Sequence, residues 1–422
     1  MGANFRIAAV ALTAAVTAGC TAAPGGKPGR AFTRSDSAGV AIVTNFAITN
    51  RGDYSLDESP QTVIGNNSAD SNQQFRRAPL AIRLPTGVVI TVEEGHVAAF
   101  DRNGKFLRTL ARRGQGPGEL TGASRMIVTA DTLIVRGGAK ILRFSVTDLS
   151  LLREDRLECP PGARLWDGSA QCAFEFFSDG WAIAIAGDST IPRTATNRPD
   201  QEMPNGYSSP GPGLLRQFGR IYAIPPTRDT AYPLGLYAGI EQFGIARGNG
   251  LSTFVIHPFY SRRSYYAANG NPRRFVVALN PEYNIEVWND RGKLAQLIRR
   301  SNGRRVPTDE ERKDAIISIE AQLDGRVTVQ KALSEMTIPD SLPAFVGLAA
   351  SPLGEVIVQT EGWNASDSLS VFDVFDADGV RVAEWKVPRR ARIADIGDEY
   401  VVFTRFDDDD IPLVEVRKYR RK

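Results

Sequence analysis

One short phrase recurs along the chain and narrows the possible folds more than any other feature. Phe100-Asp-Arg-Asn-Gly-Lys105, Trp288-Asn-Asp-Arg-Gly-Lys293 and Phe375-Asp-Ala-Asp-Gly-Val380 each set an aromatic residue before a polar turn, close the turn with glycine and start an amphipathic strand. The glycine supplies the positive φ that such turns need. A weaker copy, Phe144-Ser-Val-Thr-Asp148, follows the first, and Gly104 and Asp148 lie 44 positions apart. That spacing falls within the period of about 40 to 45 residues expected of four-stranded propeller blades. Around the first copy, Gly87 to Val92, His96 to Phe100 and Lys105 to Leu110 are β-rich runs separated by EEG and DRNG. Such runs read as an antiparallel meander with tight turns.

The rest of the chain divides on the same template. Residues 77–118 and 122–155 make two blades, 170–233 a third with a loop inserted, and 255–300 and 340–388 two more. The sixth is short: strands near Arg392, Tyr400 and Leu413 to Tyr419 need a partner, and Val40 to Thr44 is available to add it. Knitting the two chain ends together removes the exposed sheet edges of an open stack. The expected class is therefore all-β, a six-bladed β-propeller of four-stranded antiparallel blades with a small helical insertion.

Two inserts break the rhythm. The loop insert 188–213 is rich in Pro, Gly, Asn, Ser and Thr and reads as a long surface loop. In the helical insert 307–337, Thr308-Asp-Glu-Glu311 is a capping-box signature, and Gly325 separates that helix from a second, weaker one over Val327 to Met336.

Residues 1–19 read as a signal peptide: Arg6 precedes an apolar run from Ile7 to Val16, too short to span a membrane. Thr17-Ala-Gly-Cys20 resembles the lipobox of bacterial lipoproteins, with Thr17 where leucine is usual, and makes Cys20 the expected site of lipid attachment. Residues 20–37 form the expected tether, and 38–422 the propeller. The expected place is the bacterial cell envelope, lipid-anchored in the outer membrane, the periplasm or on the cell surface. Cys159 and Cys172 are the only other cysteines. In an oxidising compartment they form the expected disulfide, worth about 3 kcal/mol for a loop of that size, with buried free thiols as the alternative.

Arg-Gly-Gln-Gly-Pro-Gly-Glu-Leu at 113–120 has the look of a phosphate cradle, but Pro117 removes a donor and a strand, not a helix, follows at Met126 to Thr129. It reads as the connector from one blade's outer strand to the next blade's inner strand. With the aromatic-Asp-x-x-Gly-Lys turn before it, this run resembles the bacterial six-bladed β-propeller lipoproteins and secreted proteins, in which a Gly-x-Gly-Pro-Gly-Glu connector recurs. Val276 to Trp288 and Phe375-Asp-Ala-Asp-Gly are also similar to that family. The resemblance implies a fold and an extracytoplasmic location; it carries no shared activity and no catalytic residues.

Charge and side-chain chemistry narrow the function. With 51 basic against 48 acidic residues, a net charge of +3, the chain exerts no long-range pull on nucleic acid or anionic lipid. The only histidines, His96 and His257, cannot build a three-histidine zinc site, and no Gly-x-Ser-x-Gly elbow exists. No catalytic residue, metal ligand or cofactor is assigned, although a divalent cation such as Ca²⁺ is possible. Glu93 or Glu94, Asn280 and Asp373 could hold one in a channel as gluconolactonase-type propellers do, and Asp407 to Asp410 is either a calcium-binding run or a solvated turn. In His257 to Tyr266, Arg262, Arg263, Tyr265 and Tyr266 form the candidate binding surface, with planar donors and large rings suited to sugars or an anionic partner. The preferred expectation is a monomeric binding or scaffold module for an envelope protein, peptide or glycan, touching the membrane only through its lipid. The alternative is a metal-dependent lactonase-like or sugar-oxidising propeller enzyme.

Overall fold

The computed structural model describes residues 30–421 apart from 66–68, 124, 130, 139, 157–174, 178, 187–212, 216–217, 228–229, 248–251, 258–259, 271, 302–304, 324, 326, 337–340, 362–367 and 389. The signal peptide, Cys20, the tether up to residue 29, the Cys159–Cys172 pair and most of the loop insert thus lie outside the described residues. Ala31–Lys422 forms one compact unit.

Six antiparallel sheets follow one another around a ring. From inner to outer strand, blade 1 is Leu80–Arg83, Val89–Glu93, His96–Phe100 and Phe106–Ala111. Blade 2 is Arg125–Val128, Thr132–Gly137, Lys140–Ser145 and Leu151–Arg156. Blade 3 is Glu175–Phe176, Ala182–Ala186, Phe218–Ile224 and Tyr232–Ala238. Blade 4 is Ser264–Asn269, Arg274–Leu279, Asn284–Asn289 and Leu294–Arg300. Blade 5 is Gly347–Ala350, Val356–Glu361, Leu369–Phe375 and Arg381–Pro388. Blade 6 has Arg392–Ile396, Tyr400–Phe406 and Pro412–Arg420, and the N-terminal strand Thr62–Ile64 pairs with the last of these.

Each blade is sandwiched between neighbours, so the second strands of blades 1 and 4 bury both faces and read as apolar runs, whereas Thr132–Gly137 and Asn284–Asn289 alternate and the outer Leu151–Arg156 is mostly exposed. Val89, Ile90, Thr91 and Val92 are all buried. The core lies between blades: Leu84, Val97, Leu133 and Phe144 join blades 1 and 2. Phe345, Phe375 and Tyr283 join blades 4 and 5, and Phe372, Trp385 and Phe403 join blades 5 and 6.

The repeated turn is built the same way each time. One side-chain oxygen of Asp101 accepts from the N–H groups of Asn103 and Lys105, both at 2.9 Å. Asn289 does the same for Arg291 and Lys293 at 3.0 Å, and Asp376 for Asp378 and Val380 at 3.0 and 2.9 Å. The closing glycines, 104, 292 and 379, sit at φ +82°, +67° and +78°.

Ring closure differs from the expectation. Val40–Asn45 does not join blade 6; it pairs in parallel with Leu294–Arg300 at the outer edge of blade 4. Phe32–Ser37, expected within the tether, is a strand antiparallel to it. The chain then runs outside blade 5, where Arg51 pairs with Asp376 at 3.2 Å and Tyr54 O accepts from Trp385 Nε1 at 2.9 Å. Only at Ser55–Leu56 and Thr62–Ile64 does it meet blade 6. Ile64 is fully buried between blades 6 and 1, while in Val40–Asn45 Val43 and Asn45 are buried at the edge of blade 4 and the other four residues are half-buried. Asn45 fixes the crossing, donating to Arg299 O and Gly379 O and accepting from Arg381 N–H at 2.8 Å, so it ties blade 4 to blade 5.

The inserts combine into one unit. The hairpin Gln242–Arg247 and Ser252–Ile256, expected in part as blade 4, forms a separate sheet with Gly213–Leu215 from inside blade 3. Helices α1 (Asp309–Leu323) and α2 (Val329–Glu335), from between blades 4 and 5, cover it with Ile319, Leu323, Ala332 and Met336 against Phe243, Ile245 and Ile256. The capping box is present: Glu311 N–H donates to Thr308 Oγ1 at 3.2 Å and Thr308 N–H to Glu311 Oε2 at 2.8 Å.

Candidate functional site: the channel mouth and its cap

In these antiparallel blades the inner and third strands run away from one face of the ring and the second and outer strands return to it. Outer-to-inner passages and second-to-third turns therefore share that face. All three segments of the cap leave from it: Gly213–Leu215 from a second-to-third passage, the 242–256 hairpin and the helices from outer-to-inner passages. The inner strands begin on the same face and enclose the axis. Leu80–Arg83 packs against Arg125–Val128 and Arg392–Ile396, and Gly347–Ala350 against Ser264–Asn269 and Arg392–Ile396.

Three arginines stand at these strand starts. Arg125 and Arg392 are the first residues of the inner strands of blades 2 and 6, and both are exposed. Arg263 immediately precedes the inner strand of blade 4, is half-buried, and lies over the Tyr265 ring at 4.5 Å. Blades 2, 4 and 6 are not neighbours, so interactions among these groups reach past an intervening blade. Burial pulls the Arg125 pKa down although water reaches the side chain, and both Tyr266 of blade 4 and Asp395 of blade 6 oppose that shift. Burial raises Tyr265, with Arg263 and then Arg392 of blade 6 acting against it. Asp395 is itself raised by desolvation; its carboxylate accepts from Arg83 N–H at 2.9 Å and lies 3.2 Å from the Tyr400 hydroxyl.

The four residues of the expected binding surface do not share one exposed patch. Arg262 is exposed, and its backbone N–H and carbonyl are both held by Glu241, at 3.1 and 3.2 Å. Tyr265 and Tyr266 alternate across the strand into different cores, Tyr265 against Phe345 of the blade 4–5 junction and Tyr266 into the blade 3–4 junction. Arg125, Arg392 and Asp395 escaped the sequence reading. Their signal, an arginine opening the inner strand in alternate blades, becomes visible only once the inner strands are known.

The groups considered for a cation lie apart. Glu93 Oε1 accepts from the N–H groups of Arg76 and Arg77 at 2.8 and 2.6 Å, and Glu94 pairs with Arg113 at 3.1 Å. Asn280 is buried, accepting from Arg263 N–H and donating to Phe345 O. Asp373 is fully buried at the blade 4–5 junction, where Tyr283, Arg300 and Arg381 each donate to it at 2.7 Å. Burial first, then Asp373, holds the Tyr283 hydroxyl well above the usual tyrosine range. Among the described residues no three His, Cys, Asp or Glu side chains gather as a metal site. The Asp407 to Asp410 run is a turn of the repeated construction: Asp407 Oδ1 accepts from Asp409 and Ile411 N–H at 2.9 and 2.8 Å. Asp410 takes the glycine position at φ +61° and pairs with Arg390. His96 and His257 are far apart in role as in sequence; His96 bonds Thr109 in blade 1, and the His257 backbone is clasped by Gln322 of α1.

The glycine-rich connector binds its own carboxylate. Gly116 N–H donates to Glu119 Oε2 at 2.9 Å, and a Cβ at Gly114 would collide with that carboxylate. Gly118 N–H donates to Glu154 at 2.7 Å, while Lys140 donates to the carbonyls of Gln115 and Gly116 at 3.0 and 2.7 Å. The loop thus fastens itself to blade 2.

The ring defines the class of protein: a six-bladed β-propeller of mostly four-stranded antiparallel blades, with two helices in its cap. A family model described as "6-bladed beta-propeller" matches residues 89–175, from the second strand of blade 1 to the start of blade 3. No curated protein matches the sequence. Similar solved structures include a candidate exported protein of Bacteroides fragilis NCTC 9343, 12% identical, covering 90% of this chain and 99% of that one with a TM-score of 0.41. Apo AztD from Citrobacter koseri is 10% identical over 87% of this chain and 98% of its own, with a TM-score of 0.36. Among the described residues no helix is long and apolar enough to cross a membrane.

Proposed function

We propose that this protein is an exported, lipid-anchored binding module that meets an envelope protein, peptide or glycan on the capped face of its propeller. The observation that carries this reading is the gathering of three separate insertions on the one face where the inner strands of blades 2 and 6 begin with the exposed Arg125 and Arg392. Inserted segments on a rigid scaffold are where binding residues collect. The signal sequence of residues 1–19, followed directly by Cys20, supports export and the anchor.

Capture from native envelope extract tests it. The full chain retains a partner, and the pair Arg262→Glu with Arg263→Glu reduces recovery by about tenfold, as reversal of charges at an interface does; equal recovery removes the capped face from the account. Fatty-acid labelling that persists in Cys20→Ser removes the anchor. The competing enzyme reading calls for a stoichiometric divalent cation in the purified chain together with lactone hydrolysis, and elemental analysis decides whether such an ion is there.

A further inference from the structure

We infer that the channel mouth is a binding site for a small polyanion, a molecule carrying two or more carboxylate or phosphate groups, held by Arg125, Arg263 and Arg392. The first support is placement. The three side chains leave the same end of the inner strands of blades 2, 4 and 6, so they are spread at every second position around the axis. Three cations so arranged are distributed around one end of the axis instead of along a surface row, which favours one compact ligand with several anionic groups over a linear strand of charge.

Accessibility and preparation are the second support. Arg125 and Arg392 are exposed, and Arg263 lies over the Tyr265 ring at 4.5 Å, which limits the freedom it would lose on binding. Guanidinium groups present parallel N–H donors that match carboxylate and phosphate oxygens two at a time. A channel walled by protein focuses the field of its lining charges. Asp395, which acts on Arg125, accepts from Arg83 N–H and lies 3.2 Å from the Tyr400 hydroxyl, and burial disfavours its charged form. The influences of Arg392 on Tyr265 and of Tyr266 on Arg125 put groups of blades 2, 4 and 6 within electrostatic reach of one another.

This inference rests on the binding-module reading and names the chemistry of its ligand. The test is calorimetric titration of the mature chain with citrate and, separately, with pyrophosphate, which distinguishes carboxylate from phosphate ligands; acetate is the single-charge control. One probe is expected to saturate at one equivalent while acetate does not, with affinity that falls as salt rises. Arg125→Lys with Arg392→Lys keeps the charges but loses the paired donors and weakens binding by about tenfold. Arg113→Ala, an exposed connector arginine on the same face, leaves it unchanged. Absence of saturable binding of both probes by the unaltered chain overturns the inference, and so does equal affinity in the lysine pair and the Arg113 variant. Envelope capture that succeeds while neither anion binds sinks this site alone; anion binding without any captured partner sinks the macromolecular reading and leaves the site standing.

Discussion

Two passages on the same face of the ring use their residues in opposite ways. From blade 1 to blade 2 the chain crosses in 112–124, and the connector's donors turn inward: Glu119 takes Gly116 N–H, Glu154 takes Gly118 N–H, and Lys140 closes the carbonyls. From blade 4 to blade 5 it takes 301–346, and that length builds α1 and α2 with an apolar core against strands from two other passages. The first passage satisfies itself and offers little to a ligand. The second adds a layer on the face where the inner strands begin, and Asp309, Glu310 and Lys313 of α1 are left exposed. A glycine-rich string is thus a poor guide to binding here, because its own carboxylate does what a bound anion would do.

That contrast can be broken at several points. The largest effect belongs to the junction beneath the long passage. Asp373→Ala leaves the Arg300 and Arg381 charges without their buried partner and is expected to cost about 3 to 5 kcal/mol, read as a fall in the denaturant midpoint at unchanged slope. Loss of under about 1 kcal/mol would show that the cluster is dispensable to the ring. Glu119→Ala comes next. It frees the Gly116 N–H and is expected to cost about 1 to 3 kcal/mol while leaving citrate and pyrophosphate affinity unchanged. Altered anion affinity would mean that the connector is part of the site after all.

Thr308→Ala removes the first cap of α1 and is expected to cost about 1 kcal/mol. Its mark is faster hydrogen exchange in α1 and α2 with blades 1 and 2 unaffected; equal loss of protection in those blades would show that cap and ring unfold together. The smallest effect concerns pH. Burial first, then Arg112, lowers the His96 pKa below its usual 6.5. The unfolded chain therefore binds the proton more readily than the folded one, so this residue's contribution is complete above 6.5 and is lost as pH falls toward the lowered folded value. His96→Gln should flatten that part of the stability profile, and an unchanged slope would assign it to other groups.

Much of the ring was legible from residues close together in sequence. Asp101 to Lys105 contains every atom its turn needs, and so does Thr308 to Glu311 for the start of α1. The acidic run at 407–410 could have been recognised as the same turn with Asp410 in place of glycine, since Phe406 and Asp407 keep the phrase. Ring closure was harder. Val40 to Thr44 has the better strand composition, yet the place beside Pro412–Arg420 goes to Thr62–Ile64, where Ile64 fills the junction with blade 1. Composition says that a segment can be a strand; the vacancy it fills depends on neighbours hundreds of residues away.

By itself, then, the order of residues determined the turns, the strands they join, the repeat that stacks them and the helices of the insert, because hydrogen bonds over a few residues and the period of apolar side chains settle those locally. Only the tertiary structure decided which strand completes blade 6, that pieces from three passages share one core, and that Arg125, Arg263 and Arg392 come to one mouth. Those outcomes depend on how the whole ring closes, and closure is set by burial between segments far apart in the chain.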